Sequence, residues 1–202
     1  MSGRPLLDTR ILADRGGFRL DTRAELGRHL GDHPGATVLV THDPLDAMIL
    51  ADRIVIVEDG RVVQEGDLAT ITRQPRTEYV ARLVGLNLYR GRADGRTVTL
   101  PGGFTLTADE PGSGDVFIAF PPAAVALYRT QPDGSPRNVW PAIVTGIERH
   151  SDNIRIHLHG PIGAAADITT AAAADLHLAP GGELWAAVKA TETHTYPARP
   201  GT

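Results

Sequence analysis

The stretch spanning residues 37–66 constrains the fold of this chain more than any other part of the sequence. Three runs follow one another there: a β-branched run at Thr37–Val40, an apolar-periodic segment at Pro44–Ala51 and a second strand pattern at Arg53–Val57. Asp59-Gly60 comes next, and this pair favours a hairpin turn because both residues tolerate positive φ. The order predicts a buried strand, a helix and a hairpin.

The pattern changes after Gly85. Short alternating or β-branched runs recur between Gly, Pro and Asp turns, and such spacing predicts a small antiparallel barrel. These runs are Leu88–Arg92, Thr97–Leu100, Phe104–Thr107, Val116–Phe120, Ala124–Tyr128, Val139–Ile147, Asn153–His159, Ala166–Thr169 and Leu184–Ala190, with one helix at Ala171–Leu176. We therefore expect an α+β chain, with a partial α/β region at residues 1–85 and a β-rich region at residues 86–202.

The segment around His42 resembles the switch region of ABC-transporter ATPases. In that family the matching histidine senses the γ-phosphate, so the resemblance implies a catalytic role for His42. Leu20–Leu26 is similar to the family's D-loop entering a helix, which implies that Asp21 lies at the interface between two ATPase domains. Residues 1–85 are thus expected to be the C-terminal remnant of a nucleotide-binding domain.

The sequence lacks the motifs that would let such a remnant use ATP. Lys189 is its single lysine, and a P-loop needs a lysine after its glycines to neutralise the triphosphate. The Leu-Ser-Gly-Gly-Gln signature is also absent, and no catalytic glutamate follows Asp8. We expect the chain alone to bind no cofactor, although the intact family binds ATP and Mg²⁺. His42 and Asp21 would then be vestigial unless a partner chain supplies the P-loop.

Two short stretches in the second region resemble the Mop type of TOBE module, an OB-like barrel at the C-terminus of importer ATPases. Ser135-Pro136-Arg137-Asn138 is similar to the Ser-x-Arg-Asn opening of these barrels, and Val188–Glu192 to their closing Lys-Ala-Ser/Thr. In the family these segments meet around a tetrahedral oxyanion, often across a subunit interface. The resemblance implies an oxyanion-binding set of Ser135, Arg137, Asn138, Lys189 and Thr191.

The residue types in this set suit such a ligand. A fully deprotonated oxyanion offers only hydrogen-bond acceptors, so its site should present amides, hydroxyls and one or two cations. Lys189 is the only lysine in an arginine-rich chain, which indicates a site that prefers the compact charge of an ammonium group to a planar guanidinium. A purely structural barrel stays open as the alternative.

Other chemistries have less support. The net charge of −4 argues against a nucleic-acid binder, and a chain without cysteine has no thiolate site. His157 and His159 share one strand face, but a solvent-facing pair is favoured over a metal site because no set of acidic partners lies nearby in sequence. Asp43 and Asp46 suit turn and helix-dipole roles better than a catalytic pair. No apolar run approaches the length of a membrane span.

Together the two resemblances imply the C-terminal portion of the ATP-binding subunit of an ABC-type molybdate importer, with tungstate and sulfate as alternative oxyanions. The implied partners are a permease subunit and a second copy of the chain. The implied location is the cytoplasm, at the inner face of the membrane through the permease. Two other classes stay open: a stand-alone, non-enzymatic molybdate-binding or sensing protein, and a structural module without a ligand.

Overall fold

The computed structural model describes residues 26–30 and 35–198, and the chain divides into two compact units, Met1–Arg73 and Gln74–Thr202. This division falls earlier than the expected boundary after residue 85. The residues just after it belong to the second unit because they are bonded to the end of the chain: Arg76 donates to the carbonyl of Pro197 at 2.6 Å, and the Tyr196 hydroxyl donates to the carbonyl of Pro75 at 2.6 Å. No helix among the described residues is long and apolar enough to cross a membrane.

The first unit contains the predicted helix and hairpin. Its elements are a helical stretch at residues 26–30, helix α1 (Pro44–Leu50), strands β1 (Ile54–Glu58) and β2 (Arg61–Gly66), and helix α2 (Leu68–Arg73). Helix α1 begins where the Asp43 carboxylate accepts a hydrogen bond from the Leu45 amide at 2.9 Å. The turn between β1 and β2 has Asp59 at φ 48° and Gly60 at φ 74°, as the Asp-Gly pair predicts.

The buried strand predicted at Thr37–Val40 does not form within the described residues. Residues 36–41 have no regular secondary structure and no ladder partner there. Val38 is 68% exposed and Val40 is 88% exposed. A parallel strand needs neighbouring strands to satisfy its backbone groups, and the described part of this unit offers only the two-stranded hairpin.

The second unit is rich in strands, which confirms the predicted α+β class with a β-rich second region. Its elements in chain order are α3 (Glu78–Leu83), β3 (Asn87–Thr99), β4 (Thr105–Phe120), a first 3-10 turn (Pro122–Ala124), β5 (Ala126–Tyr128), β6 (Asn138–His150), β7 (Asn153–His159), β8 (Ala164–Ile168), α4 (Thr170–Leu176), β9 (Glu183–Val188), a second 3-10 turn (Ala190–Glu192) and β10 (His194–Pro197). Four runs predicted as separate strands in residues 88–120 fuse into the two long strands β3 and β4. A register shift between Gly95 and Thr97 lets the long pair stay hydrogen-bonded across the irregularity.

The strands form two sheets that exchange their last strands. One sheet has the order β10-β4-β3 and the other β5-β9-β6-β7-β8, with antiparallel pairing throughout. We call residues 87–128 the first half and residues 138–197 the second half. Strand β5 of the first half pairs with β9 of the second, and β10 of the second half pairs with β4 of the first. Each half therefore completes the sheet of the other.

A single apolar core lies between the two sheets of the second unit. It includes Phe120 and Ile118 from β4 together with Trp140 from β6 and Ile156 from β7, all fully buried. Phe104 packs edge-on against Trp140, with ring centroids 6.4 Å apart. The burial patterns of β6 and β9 show that one face of each strand points into this core.

Candidate functional site

The two stretches proposed from sequence to bind an oxyanion are neighbours in the structure. Strands β6 and β9 are paired in a register that places Asn138 opposite Val188. Arg137 directly precedes Asn138 and Lys189 directly follows Val188, so both residues lie at this end of the strand pair. Two residues about fifty positions apart in sequence thus form one junction, at the end of β9 and the beginning of β6.

The charged and hydroxyl side chains of this junction are accessible. Ser135, Arg137, Lys189 and Thr191 are all exposed. Within the described residues, neither Arg137 nor Lys189 forms an ion pair or a side-chain hydrogen bond. Two cations of the junction thus have no ion pair of 4.0 Å or less among the described residues, and such cations attract an anion.

Lys189 also borders a cavity. This cavity has a volume of about 370 Å³ and is lined by Lys189, Tyr128, Pro136 and residues of the first 3-10 turn. Glu192 lines it as well, although it forms no ion pair of 4.0 Å or less with Lys189. The lysine stands directly before the second 3-10 turn, with an extended backbone at φ −69° and ψ 144°.

Asn138 differs from the other four predicted ligands because its side chain is buried and already bonded. It is 2% exposed. Its Oδ1 accepts a hydrogen bond from the Thr107 amide at 2.6 Å, and its Nδ2 donates to the Thr107 carbonyl at 3.0 Å. The side chain therefore links β6 to β4 of the other sheet. Its direct contact with an oxyanion stays a prediction.

Thr193 supports the same corner, and sequence reasoning missed it. It is 2% exposed, and its hydroxyl donates to the Ala190 carbonyl at 2.7 Å, which closes the second 3-10 turn behind Lys189. The signal that could have found it is the spacing of hydroxyl residues in Thr191-Glu192-Thr193, because a hydroxyl often closes a short turn of this kind.

His42 lies in the first unit, whereas the junction belongs to the second. His42 is exposed, and among the described residues its side chain has no hydrogen-bond or ion-pair partner. Its neighbours order the start of α1: the Asp43 amide donates to the Thr41 hydroxyl at 3.0 Å, and that hydroxyl donates to Asp46 at 3.3 Å. The other predicted nucleotide-site residue, Asp21, lies outside the described residues.

The histidines of β7 lie on a charged sheet face. His157 Nε2 is 2.9 Å from Glu148 Oε1, and both side chains are about half exposed. On the same sheet the Arg155 guanidinium makes two hydrogen bonds to Asp167, at 2.7 and 2.8 Å, and holds the pKa of that carboxyl below its usual range. No group of three or more His, Asp or Glu side chains in residues 26–30 and 35–198 is arranged to hold a metal ion.

Known proteins resemble this chain over most of its length. Residues 134–195, which contain the whole junction, match the family described as TOBE domain. The molybdenum import ATP-binding protein ModC of Mycobacterium tuberculosis is 38% identical over 172 residues, which cover 81% of this chain and 47% of that protein. The molybdate/tungstate import ATP-binding protein WtpC of Pyrococcus horikoshii is 32% identical over 160 residues, covering 78% of this chain and 46% of that protein.

Solved structures also resemble part of the chain, and one example follows. It is the cytoplasmic molybdate-binding protein ModG with molybdate bound, which aligns with 55% of this chain and 95% of its own at 23% identity and a TM-score of 0.49. The chain spans about half the length of the two import proteins, and the match covers their C-terminal part. The chain therefore resembles the C-terminal part of these importer ATP-binding subunits, and its residues 134–195 match the TOBE domain family.

Proposed function

We propose that the junction of Ser135, Arg137, Lys189 and Thr191 binds a tetrahedral oxyanion of the molybdate class. The observation that supports this proposal is the pairing of Asn138 with Val188, because Arg137 and Lys189 flank that pair with both side chains exposed. Two like charges at one end of a strand pair repel each other, whereas both would attract a dianion bound there. The names of the relatives, molybdenum and molybdate/tungstate importers, indicate the class of anion.

The donor set fits this ligand. An ammonium, a guanidinium and two hydroxyls can all donate to an anion that only accepts hydrogen bonds. Hydrogen bonds to a charged group contribute roughly 1.5–3 kcal/mol each, so a few of them suffice for micromolar affinity. Asn138 stabilises the site indirectly, because its two hydrogen bonds to Thr107 hold the start of β6, which Arg137 directly precedes.

The wider role we propose is that of the C-terminal, anion-responsive part of an importer's ATP-binding subunit. A permease would be its partner, a second copy of the chain would associate with it, and the location would be cytoplasmic. In such an assembly His42 and Asp21 would serve the nucleotide site. The residues present here do not by themselves fit ATP, because the single lysine, Lys189, lies in the anion junction and no P-loop exists in the sequence. We therefore propose no step through ATP on this chain.

Titration calorimetry with molybdate, tungstate and sulfate tests the proposal. We expect binding by the wild-type chain and a loss of about 2 kcal/mol, roughly 30-fold in Kd, for Lys189→Ala, because the variant removes one charge-assisted donor. Arg137→Ala should weaken binding similarly. Arg149→Ala is the matched control, since Arg149 is an exposed arginine on the same strand, β6.

The same series separates the competing functions. Absence of heat at millimolar anion would contradict the proposal and favour a structural module. Equal losses for Arg137→Ala and Arg149→Ala would show a general charge effect instead of a site. A chain that binds molybdate but associates with no permease or ATPase partner in pull-down from its own host would favour the stand-alone binding protein.

A further inference from the structure

The second unit contains the same junction twice. Asn87 begins β3 opposite Phe120, and Asn138 begins β6 opposite Val188. The six residues that end β4 and the six of β9 share one burial pattern, in which only the first and third residues are not buried. A 3-10 turn follows each of these strands, and a short strand that crosses to the other sheet follows each turn. The two halves are therefore copies of one arrangement.

The two asparagines make the copies match in detail. Asn87 Nδ2 donates to the Ala165 carbonyl at 3.0 Å and its Oδ1 accepts from the Ala165 amide at 2.8 Å. This is the bonding of Asn138 to Thr107 with the halves interchanged. Each asparagine holds the backbone of a strand in the opposite half, so the pair acts as a reciprocal lock.

The turns also have the same backbone. Pro121, before the first 3-10 turn, has φ −72° and ψ 148°, while Lys189, before the second, has φ −69° and ψ 144°. Counted from Pro121 and from Lys189, the fourth and fifth backbone amides donate to the first and second carbonyls in both turns, at 3.0 to 3.1 Å. Pro121 therefore occupies the place of Lys189, and Ala123 the place of Thr191.

The copies differ in charge. Counting back from the paired asparagines, Leu86 occupies the place of Arg137. The chain reaches Leu86 from the C-terminal end of α3, where the Leu86 amide donates to the Ala81 carbonyl at 2.8 Å and Gly85 has φ 72°. Carbonyl groups at a helix C-terminus disfavour an anion. The first junction thus has the geometry of the second without any of its cations.

We infer that unit two carries two copies of one anion junction, that only the copy at Arg137 and Lys189 is active, and that the copy at Leu86 and Pro121 is silent. This inference rests on the proposed function. It predicts one bound oxyanion for each chain. It also predicts that the silent junction can be activated by restoring its missing side chains, since the backbone there already has the required conformation.

Counting bound molybdate per chain, by equilibrium dialysis and elemental analysis, tests the first part. We expect one per wild-type chain. Two per chain would overturn the inference and leave the proposed function standing, whereas none would contradict the proposed function itself.

Transplanting the donors tests the second part. On the wild-type background, Pro121→Lys with Ala123→Thr should raise the count of bound molybdate from one to two per chain, and adding Leu86→Arg should tighten the second binding event. The count is the readout because Pro121 and Ala123 line the same cavity as Lys189, where a change in affinity alone could come from the existing site. The double replacement leaves the end of α3 untouched, so it serves if the triple variant does not fold. A folded double variant that still binds one molybdate per chain would overturn the inference.

Discussion

Two asparagine side chains show how one residue type can serve the fold where sequence suggests a ligand. Asn138 belongs to a predicted oxyanion motif, yet both of its amide functions are bonded to Thr107 in a buried position. Asn87, which lies in no such motif, makes the same pair of bonds to Ala165. Asparagine suits this task because its side-chain amide matches the donor and acceptor of a peptide group.

We expect Asn138→Leu to destabilise the second unit by about 1–3 kcal/mol, because the partly buried Thr107 amide would lose its Asn138 partner and the Thr107 carbonyl would keep a longer contact, 3.4 Å, with the Thr193 hydroxyl. Asn87→Leu should lower the stability by a similar amount, because the Ala165 amide and carbonyl would lose their hydrogen bonds to Asn87. Urea denaturation monitored by tryptophan fluorescence measures both. Unchanged stability of Asn138→Leu together with lost molybdate binding would show that Asn138 acts chiefly as a ligand.

Sequence could predict part of the junction. The resemblance of two short stretches to Mop-type modules singled out Arg137 and Lys189, and the pairing of β6 with β9 brings the two stretches together. The lock between Asn138 and Thr107 could not be predicted, because it depends on a contact between two sheets and leaves no local pattern. Asn87 was missed because apolar Leu86 precedes it where the second half has Arg137.

Among the elements, those set by local chemistry were predictable and those set by distant pairing were not. The hairpin at Asp59-Gly60 follows from the demand for positive φ at the turn, and α3 begins where Thr77 caps it. Strand β10 was not predicted. It has only four residues, ends in Pro197, and gains its place by pairing with β4 more than seventy residues earlier.

The link between β7 and β8 offers a test of how tightly the elements approach one another. A Cβ added at Gly160 would lie 2.5 Å from the Pro141 carbonyl oxygen, which β6 holds in place, whereas one added at Gly163 would meet its nearest atom at 3.6 Å. We expect Gly160→Ala to lower the unfolding free energy by about 1–3 kcal/mol through this clash. Gly163→Ala is the control and should change it little. Thermal and urea unfolding of both variants decide the matter, and equal stability would contradict the close approach.

At the scale of the whole molecule, the two units differ in how well the burial of their residues agrees with the sequence pattern. The second unit has paired strands and a buried core, and its fold class was predictable from its many short strands. In the first unit Val38 and Val40 are exposed beside His42, although their sequence is that of a buried strand. A local sequence pattern can mark these residues as a buried strand, but it does not say which other residues would cover them.

We expect the purified chain to release no phosphate from ATP above a protein-free blank. The physical reason is that no lysine stands in a glycine-rich loop and His42 has no catalytic partner among the described residues. A coupled phosphate-release assay checks this, with His42→Ala as the companion variant. Hydrolysis that the His42→Ala variant abolishes would contradict the expectation.

The exchange of β5 and β10 has a consequence for how the protein is made. Strand β4 pairs with β3 on one side and with His194–Pro197 on the other, so its outer edge stays bare until residues 194–197 have been synthesised. Strand β5 likewise stays without its partner until β9, at Glu183–Val188, has been synthesised. Each sheet is therefore completed only by a strand of the second half, and the sheet of β3 and β4 is completed last. An unpaired strand edge invites association with other chains, so the interval before β10 reaches β4 is when the second unit is most open to misassembly.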